Sequence, residues 1–335
     1  MKLLRKILFP FVPVYYLVSS IRNKLFDLNI LKSKSYNIPL ICIGNLSVGG
    51  TGKTPLIEYL IRLLKNDYSL ATLSRGYKRN TTGFILANDK TNVEELGDEP
   101  FQIKNKFKDI LVAVDGNRQN GIEQLLALND PPEIILLDDG FQHRKVKAGL
   151  SILLTQYSKL YVNDIVLPTG DLRESRSGAK RADIIIVTKC PENLKDEERT
   201  EIISILNVSS NQRIFFSTIS YSDTIFSKEI SYSFDKLSST DFTLITGIAD
   251  SGPLIDYLNS KGLSFNHFDF KDHYNFNEKD IMTFNNQEFL LTTEKDYMRL
   301  KNKVDNSKLY YLPIETRIFN DREFDKMIKD FILKF

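Results

Sequence analysis

Six short apolar runs punctuate the first two thirds of the chain: IPLICI (38–43), YSLATLS (68–74), DILVAV (109–114), EIILLDD (133–139), LSILLT (150–155) and ADIIIVTK (182–189). They are nearly continuous rather than alternating, the pattern of strands covered on both faces, so they predict a mostly parallel sheet with helices on each side. The stretch LIEYLIRLL (56–64) supplies one such helix. In sheets of this kind functional groups collect at the carboxyl ends of the strands. The first four runs and the sixth are followed at once by polar, glycine-bearing or charged motifs.

A second set of runs, RIFFSTI (213–219), DFTLITGIAD (241–250), LSFNHFDF (263–270), EFLLTTEKD (288–296) and KLYYLP (308–313), predicts a further, smaller α/β unit. The serine- and aromatic-rich stretch between 220 and 240 lacks helical period and reads as a hairpin or extended connector. The boundary falls near residue 220, which gives three expected segments: 1–34, 35–220 and 221–335. No internal repeat or low-complexity tract interrupts them.

The first segment follows another pattern. Ile7 to Val18 is twelve uncharged residues containing Pro10 and Pro13, shorter than the roughly 20 residues that span a bilayer as a helix. A secretory signal has a similar look, but export would part the chain from cytosolic nucleotide. Ile21, Leu25 and Leu28 then recur at helical spacing beside Arg22 and Lys24, as in a helix lying among lipid headgroups or packing on a core. Residues 1–34 hold seven basic residues against one acid, Asp27, for a net +6, whereas the whole chain of 335 residues carries only +2. A basic end on a mildly acidic body suits an anionic surface, lipid or nucleic acid, and the apolar run favours lipid. Hydrophobic residues make up 42%, enough for two ordinary cores. Cys42 and Cys190 lie far apart in or beside apolar runs, which indicates neither a disulfide framework nor a cysteine metal cluster and fits a reducing cytosol.

The chemistry begins at SVGGTGKTP (47–55), directly after the first run. A glycine-rich turn between strand and helix aims backbone N–H groups at one point, and the helix N-terminus adds partial positive charge. The residues Ser47, Val48, Gly49, Gly50, Thr51, Gly52, Lys53 and Thr54 therefore form a candidate ATP loop, with Lys53 reaching the β- and γ-phosphates and the Thr54 hydroxyl on Mg²⁺. Ser47 stands where the G-x-x-x-x-G-K-[ST] pattern has its first glycine. Val48 stands where partitioning-type switch ATPases carry a second lysine, which argues against that class. Asp138 and Asp139 end the fourth run, the geometry by which such enzymes present carboxylate to the metal. His143 is expected beside that turn rather than on the metal, since Mg²⁺ favours oxygen. Tyr77 and Arg79 in RGYKR, with Arg118, are candidates for anionic substrate.

Nine segments in order, SVGGTGKTP, SRGYKR (74–79), GDEP (97–100), DGNR (115–118), LDDGFQHR (137–144), LPTGDLRES (167–175), ADIIIVTK, DHY (272–274) and TTEKD (292–296), resemble the motifs of the tetraacyldisaccharide 4′-kinase family from the basic start to about residue 300. The resemblance implies a fold like that of P-loop NTPases with a membrane-associated N-terminal helix. It implies transfer of the ATP γ-phosphate to the 4′-hydroxyl of a tetraacylated glucosamine disaccharide 1-phosphate at the cytoplasmic face of the inner membrane. It also implies Asp98 as base paired with His273, and Glu174 near nucleotide and metal. The expected partners are the lipid substrate and an anionic membrane surface, with no nucleic acid and no obligate protein. Thr293 to Asp296 is a candidate for adenine contact, with Glu294 expected at a solvent-facing helix start. Rival readings are a membrane ATPase switch without lipid acceptor and a scaffold that has lost catalysis.

Overall fold

The computed structural model describes residues 5, 7–228, 230–272 and 274–335. Its strands are β1 (Leu40–Asn45), β2 (Leu70–Ser74), β3 (Ile85–Leu86), β4 (Leu111–Val114), β5 (Ile134–Asp138), β6 (Leu150–Gln156), β7 (Ile184–Thr188), β8 (Arg213–Tyr221), β9 (Thr224–Phe226), β10 (Ser231–Ser233), β11 (Phe242–Thr246), β12 (Phe265–Asp269), β13 (Leu290–Thr293), β14 (Leu309–Leu312) and β15 (Ile314–Ile318). Nine of them form one sheet in the order β15-β8-β7-β6-β1-β5-β2-β4-β3, and six form another in the order β10-β9-β14-β13-β11-β12. In the larger sheet every neighbouring pair is parallel except the two at its edges, β15 on β8 and β3 on β4.

The near-continuous apolar runs follow from this layering. Alternate side chains of β1 enter different cores: Ile41 and Ile43 pack with Leu56, Leu60 and Leu64 of the helix Lys53–Leu64, whereas Leu40 and Cys42 pack with Ile122 and Leu125 of the helix Arg118–Leu126. Successive residues of a strand face opposite sides, so a strand covered twice needs apolar residues throughout. The two cysteines are free and buried, and burial pushes both thiols up to about 12.

The segment 221–335 is not one unit. After Leu312 the chain returns to the larger sheet, where β15 pairs antiparallel with β8, and Ile318, Phe324, Ile328 and Phe331 join the core beneath the helix Lys53–Leu64. Residues 314–335 therefore belong with the first sheet, a correction to the expected division. Pro313 marks the change of sheet, and the buried positions Thr316 and Ile318 show the period of an edge strand. The connector between 220 and 240 is a hairpin, β9 on β10.

A short 3₁₀ turn, Phe9–Phe11, leads into the helix Val12–Asp27. Pro10 and Pro13 sit in first-turn positions, where the missing N–H would have no intrahelical partner anyway. Val12, Tyr15, Asn23 and Phe26 face the protein, and Val14, Leu17, Val18, Ile21 and Leu28 face outward and are exposed. No helix among the described residues is long and apolar enough to cross a membrane.

Candidate active site

A cleft of about 1300 Å³ opens at the carboxyl ends of the first sheet and is closed on its far side by the second. The loop after β1 supplies one wall, Val48 to Thr54. Gly52 has φ of +86° and caps the helix that starts at Lys53, a conformation that favours glycine and turns the first helical N–H groups toward the cleft. The loop is held from behind: Val48 N donates to Asp171 O at 2.7 Å, Gln156 Nε2 to Gly50 O at 2.8 Å and Thr188 Oγ1 to Thr51 O at 2.9 Å. Ser47 does not line the cleft. It pairs with Leu172, and its carbonyl accepts from Asn45 Nδ2.

β5 lies beside β1 with Asp138 level with Ile43, so the acidic pair arrives next to the loop. Lys53 Nζ is 3.6 Å from Asp139 Oδ1 and 3.3 Å from Asn45 Oδ1. Arg173 Nη1 donates to Asp139 Oδ2 at 2.7 Å. Burial pushes the Asp138 carboxyl up to about 7, Asp139 adding to the effect and Lys53 opposing it. Burial acts the same way on Asp139, but Lys53 and Arg173 outweigh it and hold that carboxyl below its usual range. Asp138 Oδ1 is buried without a hydrogen-bond partner. A buried acceptor left unmatched beside a phosphate-type loop suits a divalent cation that draws its remaining ligands from water and phosphate. Asp138, Asp139 and Thr54, all on the cleft wall, fit Mg²⁺.

Glu174 does not join them. It is buried outside the cleft, accepting from Asn23 Nδ2 at 2.6 Å, Gln142 Nε2 at 3.0 Å and Arg181 Nη2 at 2.8 Å. With three donors on its carboxylate, its place is behind Gln142 rather than on a metal, a correction to the expected metal set. Arg118 lines the cleft but is 2% exposed. Its guanidinium donates to the carbonyls of Asp115 and Asp138, fixing two strand ends. His143 Nε2 faces the Arg118 N–H at 3.3 Å, and burial with the nearby Arg118 and Arg75 charges lowers its pKa to about 4. It is a neutral acceptor. Tyr77 is exposed on the cleft wall. Arg79 lies in an adjoining hollow of about 700 Å³, donating to Gly83 O at 2.6 Å. The tight approach of these loops requires Gly97, at φ +87°, where a Cβ would meet Tyr77 O at 2.8 Å.

Asp98 opens the helix Asp98–Lys106, whose Glu99, Pro100 and Gln102 line the cleft. Its carboxylate accepts from Arg299 Nε at 3.1 Å and from Arg299 Nη2, so it is tied to the second sheet's helix Glu294–Leu300. Arg299 also bonds Asp296 at 3.2 Å. His273 lies outside the described residues. Asp296 is fully buried, accepting from Gly247 N and Thr293 Oγ1, which makes it a helix-start brace rather than a base contact. Thr293 and Glu294 line the cleft.

Glu294 is buried, not solvent-facing, and meets Lys106 at 3.0 Å, which also pairs with Glu58 at 2.7 Å. Burial, reinforced by the Glu58 charge, pushes Glu294 up to about 7 from an ordinary 4.5, against the pull of Lys106 and Arg62. The folded protein thus keeps a proton that the unfolded chain gives up above pH 4.5. Stability from this group is complete below that pH and is lost as pH rises through 7. In Glu294→Gln this loss should vanish. Melting curves near pH 5 and pH 8 should show the variant gaining on the parent at the higher pH by on the order of 1–2 kcal/mol. A gap that moves the other way would overturn the assignment.

Arg173, Gln142, Lys189 and Arg299 did not stand out in the sequence. Arg173 and Gln142 sit inside segments carrying the family resemblance, so their only signal was membership of LPTGDLRES and LDDGFQHR. Lys189, on the cleft wall with its pKa lowered by burial, is the last residue of the sixth run and directly follows β7.

The sequence model of tetraacyldisaccharide-1-P 4′-kinase matches residues 4–333. A tetraacyldisaccharide 4′-kinase of Flavobacterium johnsoniae is 54% identical over 336 residues, covering 99% of this chain and 98% of its own. One of Bacteroides thetaiotaomicron is 43% identical over 344 residues, covering 96% and 90%. Among solved structures, the "apo" form of LpxK from Aquifex aeolicus in complex with ATP superposes with a TM-score of 0.80 at 30% identity, covering 98% of this chain and 99% of that one. The two-sheet α/β architecture is thus that of a P-loop kinase, and the chain belongs to the tetraacyldisaccharide-1-P 4′-kinase family.

Proposed function

We propose that the protein transfers the γ-phosphate of ATP to the 4′-hydroxyl of a tetraacylated glucosamine disaccharide 1-phosphate, using Mg²⁺, on an anionic membrane surface at the cytoplasmic face of the inner membrane. The observation that carries the reading is Lys53, at the start of the helix after the β1 loop, facing Asp139 beside Asp138 at the end of the neighbouring strand β5, on one cleft. Phosphoryl transfer passes through a loose transition state that asks mainly for positioning and charge neutralisation. Lys53 and the loop N–H groups hold the β- and γ-phosphates. Asp138, Asp139 and Thr54 would hold Mg²⁺, which when bound neutralises charge on the phosphates. Asp98, oriented by Arg299, takes the acceptor proton, with His273 as its proposed partner. Tyr77 on the cleft wall and Arg79 in the hollow beside it are the proposed contacts for the sugar and its 1-phosphate.

The primary test incubates the purified chain in detergent micelles with γ-labelled ATP, Mg²⁺ and the tetraacyl disaccharide 1-phosphate. Label in the lipid fraction supports the kinase. Free phosphate without labelled lipid would point to an ATPase switch.

The membrane contact is proposed for the outward face of the helix Val12–Asp27, where Val14, Leu17, Val18 and Ile21 are exposed. Burying one such side chain in the acyl boundary contributes about 1.5–3 kcal/mol. Leu17→Glu with Ile21→Glu should therefore reduce flotation with anionic vesicles by at least about tenfold. Unchanged flotation would move the contact elsewhere.

A further inference from the structure

The inward face of the same helix reaches the residues behind the phosphate loop and the acidic turn, and nothing in a membrane anchor requires that. Asn23 is a buried amide on an otherwise apolar or exposed helix, and a buried amide persists where its hydrogen bonds are used. It donates to Glu174 at 2.6 Å, Glu174 accepts from Gln142 at 3.0 Å, and Gln142 donates to Asn45 O at 2.8 Å. Asn45 in turn holds Lys53 at 3.3 Å. A second thread starts about two turns earlier. Tyr15 donates to Arg173 O at 2.9 Å, and the Arg173 guanidinium holds Asp139 at 2.7 Å. The Asp138–Asp139 turn is also gripped further along, where Arg144 donates to Asn23 O at 2.6 Å and Arg22 to Gln142 O at 3.2 Å. Both threads end on the same Lys53–Asp139 contact.

We infer that Asn23 and Tyr15 are positioning residues for phosphoryl transfer. The N-terminal helix fixes Gln142 and Arg173 from behind, and through them Lys53 and Asp139, so seating this helix tunes the affinity of the site for Mg·ATP. The inference rests on the kinase reading for its consequence in turnover, but not for its effect on nucleotide binding. Residues that orient groups in direct contact with a bound phosphate or metal act at a distance of one side chain and still change affinity or activity by about tenfold or more.

The test uses the full chain and a fluorescent ATP analogue with Mg²⁺, without lipid acceptor. Asn23→Leu should weaken analogue binding by about tenfold while flotation with anionic vesicles stays unchanged, because the outward face is untouched. In a Glu174→Gln background the same change should cost less than about twofold, because the two residues lie on one thread. Tyr15→Phe, which removes only the hydroxyl, should weaken binding by a few fold, on the order of one lost hydrogen bond, and it serves in place of Asn23→Leu if that variant does not fold. Unchanged analogue affinity in the folded variants would overturn the inference. So would losses that add fully with Glu174→Gln. A parent chain that binds the analogue yet labels no lipid would instead sink the kinase reading and leave the positioning role standing.

Discussion

Lys53→Ala is expected to lower kcat/KM for ATP by about 10²–10³-fold or more, the loss typical of removing one preorganised charge from a phosphoryl or oxyanion site. Lys53 is the cation that faces Asp139 and that Asn45 aims from the end of β1. Its removal should leave the fold intact. Arg173 still neutralises Asp139, and the helix Lys53–Leu64 is held by Leu56, Leu60 and Leu64 in the core rather than by its first residue. The Asp139 carboxyl, now with one cation instead of two, should titrate higher, and Mg·ATP binding should weaken toward acid pH. Lys53→Arg should not restore turnover, since a planar fork does not replace a point charge at the end of a flexible stem. Circular dichroism, melting and labelled-lipid formation measured together decide the matter, and a variant within about tenfold of the parent would overturn the role given to the loop.

Asp98→Asn should reduce kcat by about 10²–10⁴-fold, the range for a lost general base, with nucleotide affinity little changed. A complication lies in Arg299, whose guanidinium bonds Asp98 from the second sheet. The same substitution therefore weakens a largely buried ion pair between the helices Asp98–Lys106 and Glu294–Leu300, and the amide recovers only part of it. Arg299→Gln separates the two effects. If Asp98 is the base, that variant should lose about tenfold or less, with a lower melting temperature, because the carboxylate survives. Equal losses in the two variants would make Asp98 a latch between the sheets and leave the base unassigned.

What could be read in advance was whatever the chain encodes locally. The continuous apolar runs announced the doubly covered strands, and the glycine loop and Asp138–Asp139 needed only a strand before them to be placed. Glu174 and Glu294 went astray for a common reason. Each carboxylate is surrounded by donors or cations from distant segments, Asn23 and Gln142 for one, Lys106 for the other, and spacing carries no record of such company. Arg118 illustrates the converse: an arginine after a strand looks like a phosphate ligand until its carbonyl partners are known. The return to the first sheet at Ile314 was hidden because a run of strands reads the same whichever sheet receives it.

That return also bears on how the molecule is made. Tyr221 and Ile314 pair across β8 and β15, and Ser222 N bonds Pro313 O at 3.1 Å, so the second sheet leaves and rejoins the first at one seam. Everything from Ser222 to Pro313 is a cassette whose two ends touch. During synthesis the first sheet cannot acquire its edge strand, nor the helix Asp321–Ile332 that packs with the helix Lys53–Leu64, until the whole cassette has left the ribosome. The border of the first sheet is thus the last part to be finished, and a nascent chain stalled short of residue 314 would carry every loop residue of the site on a sheet still missing that border.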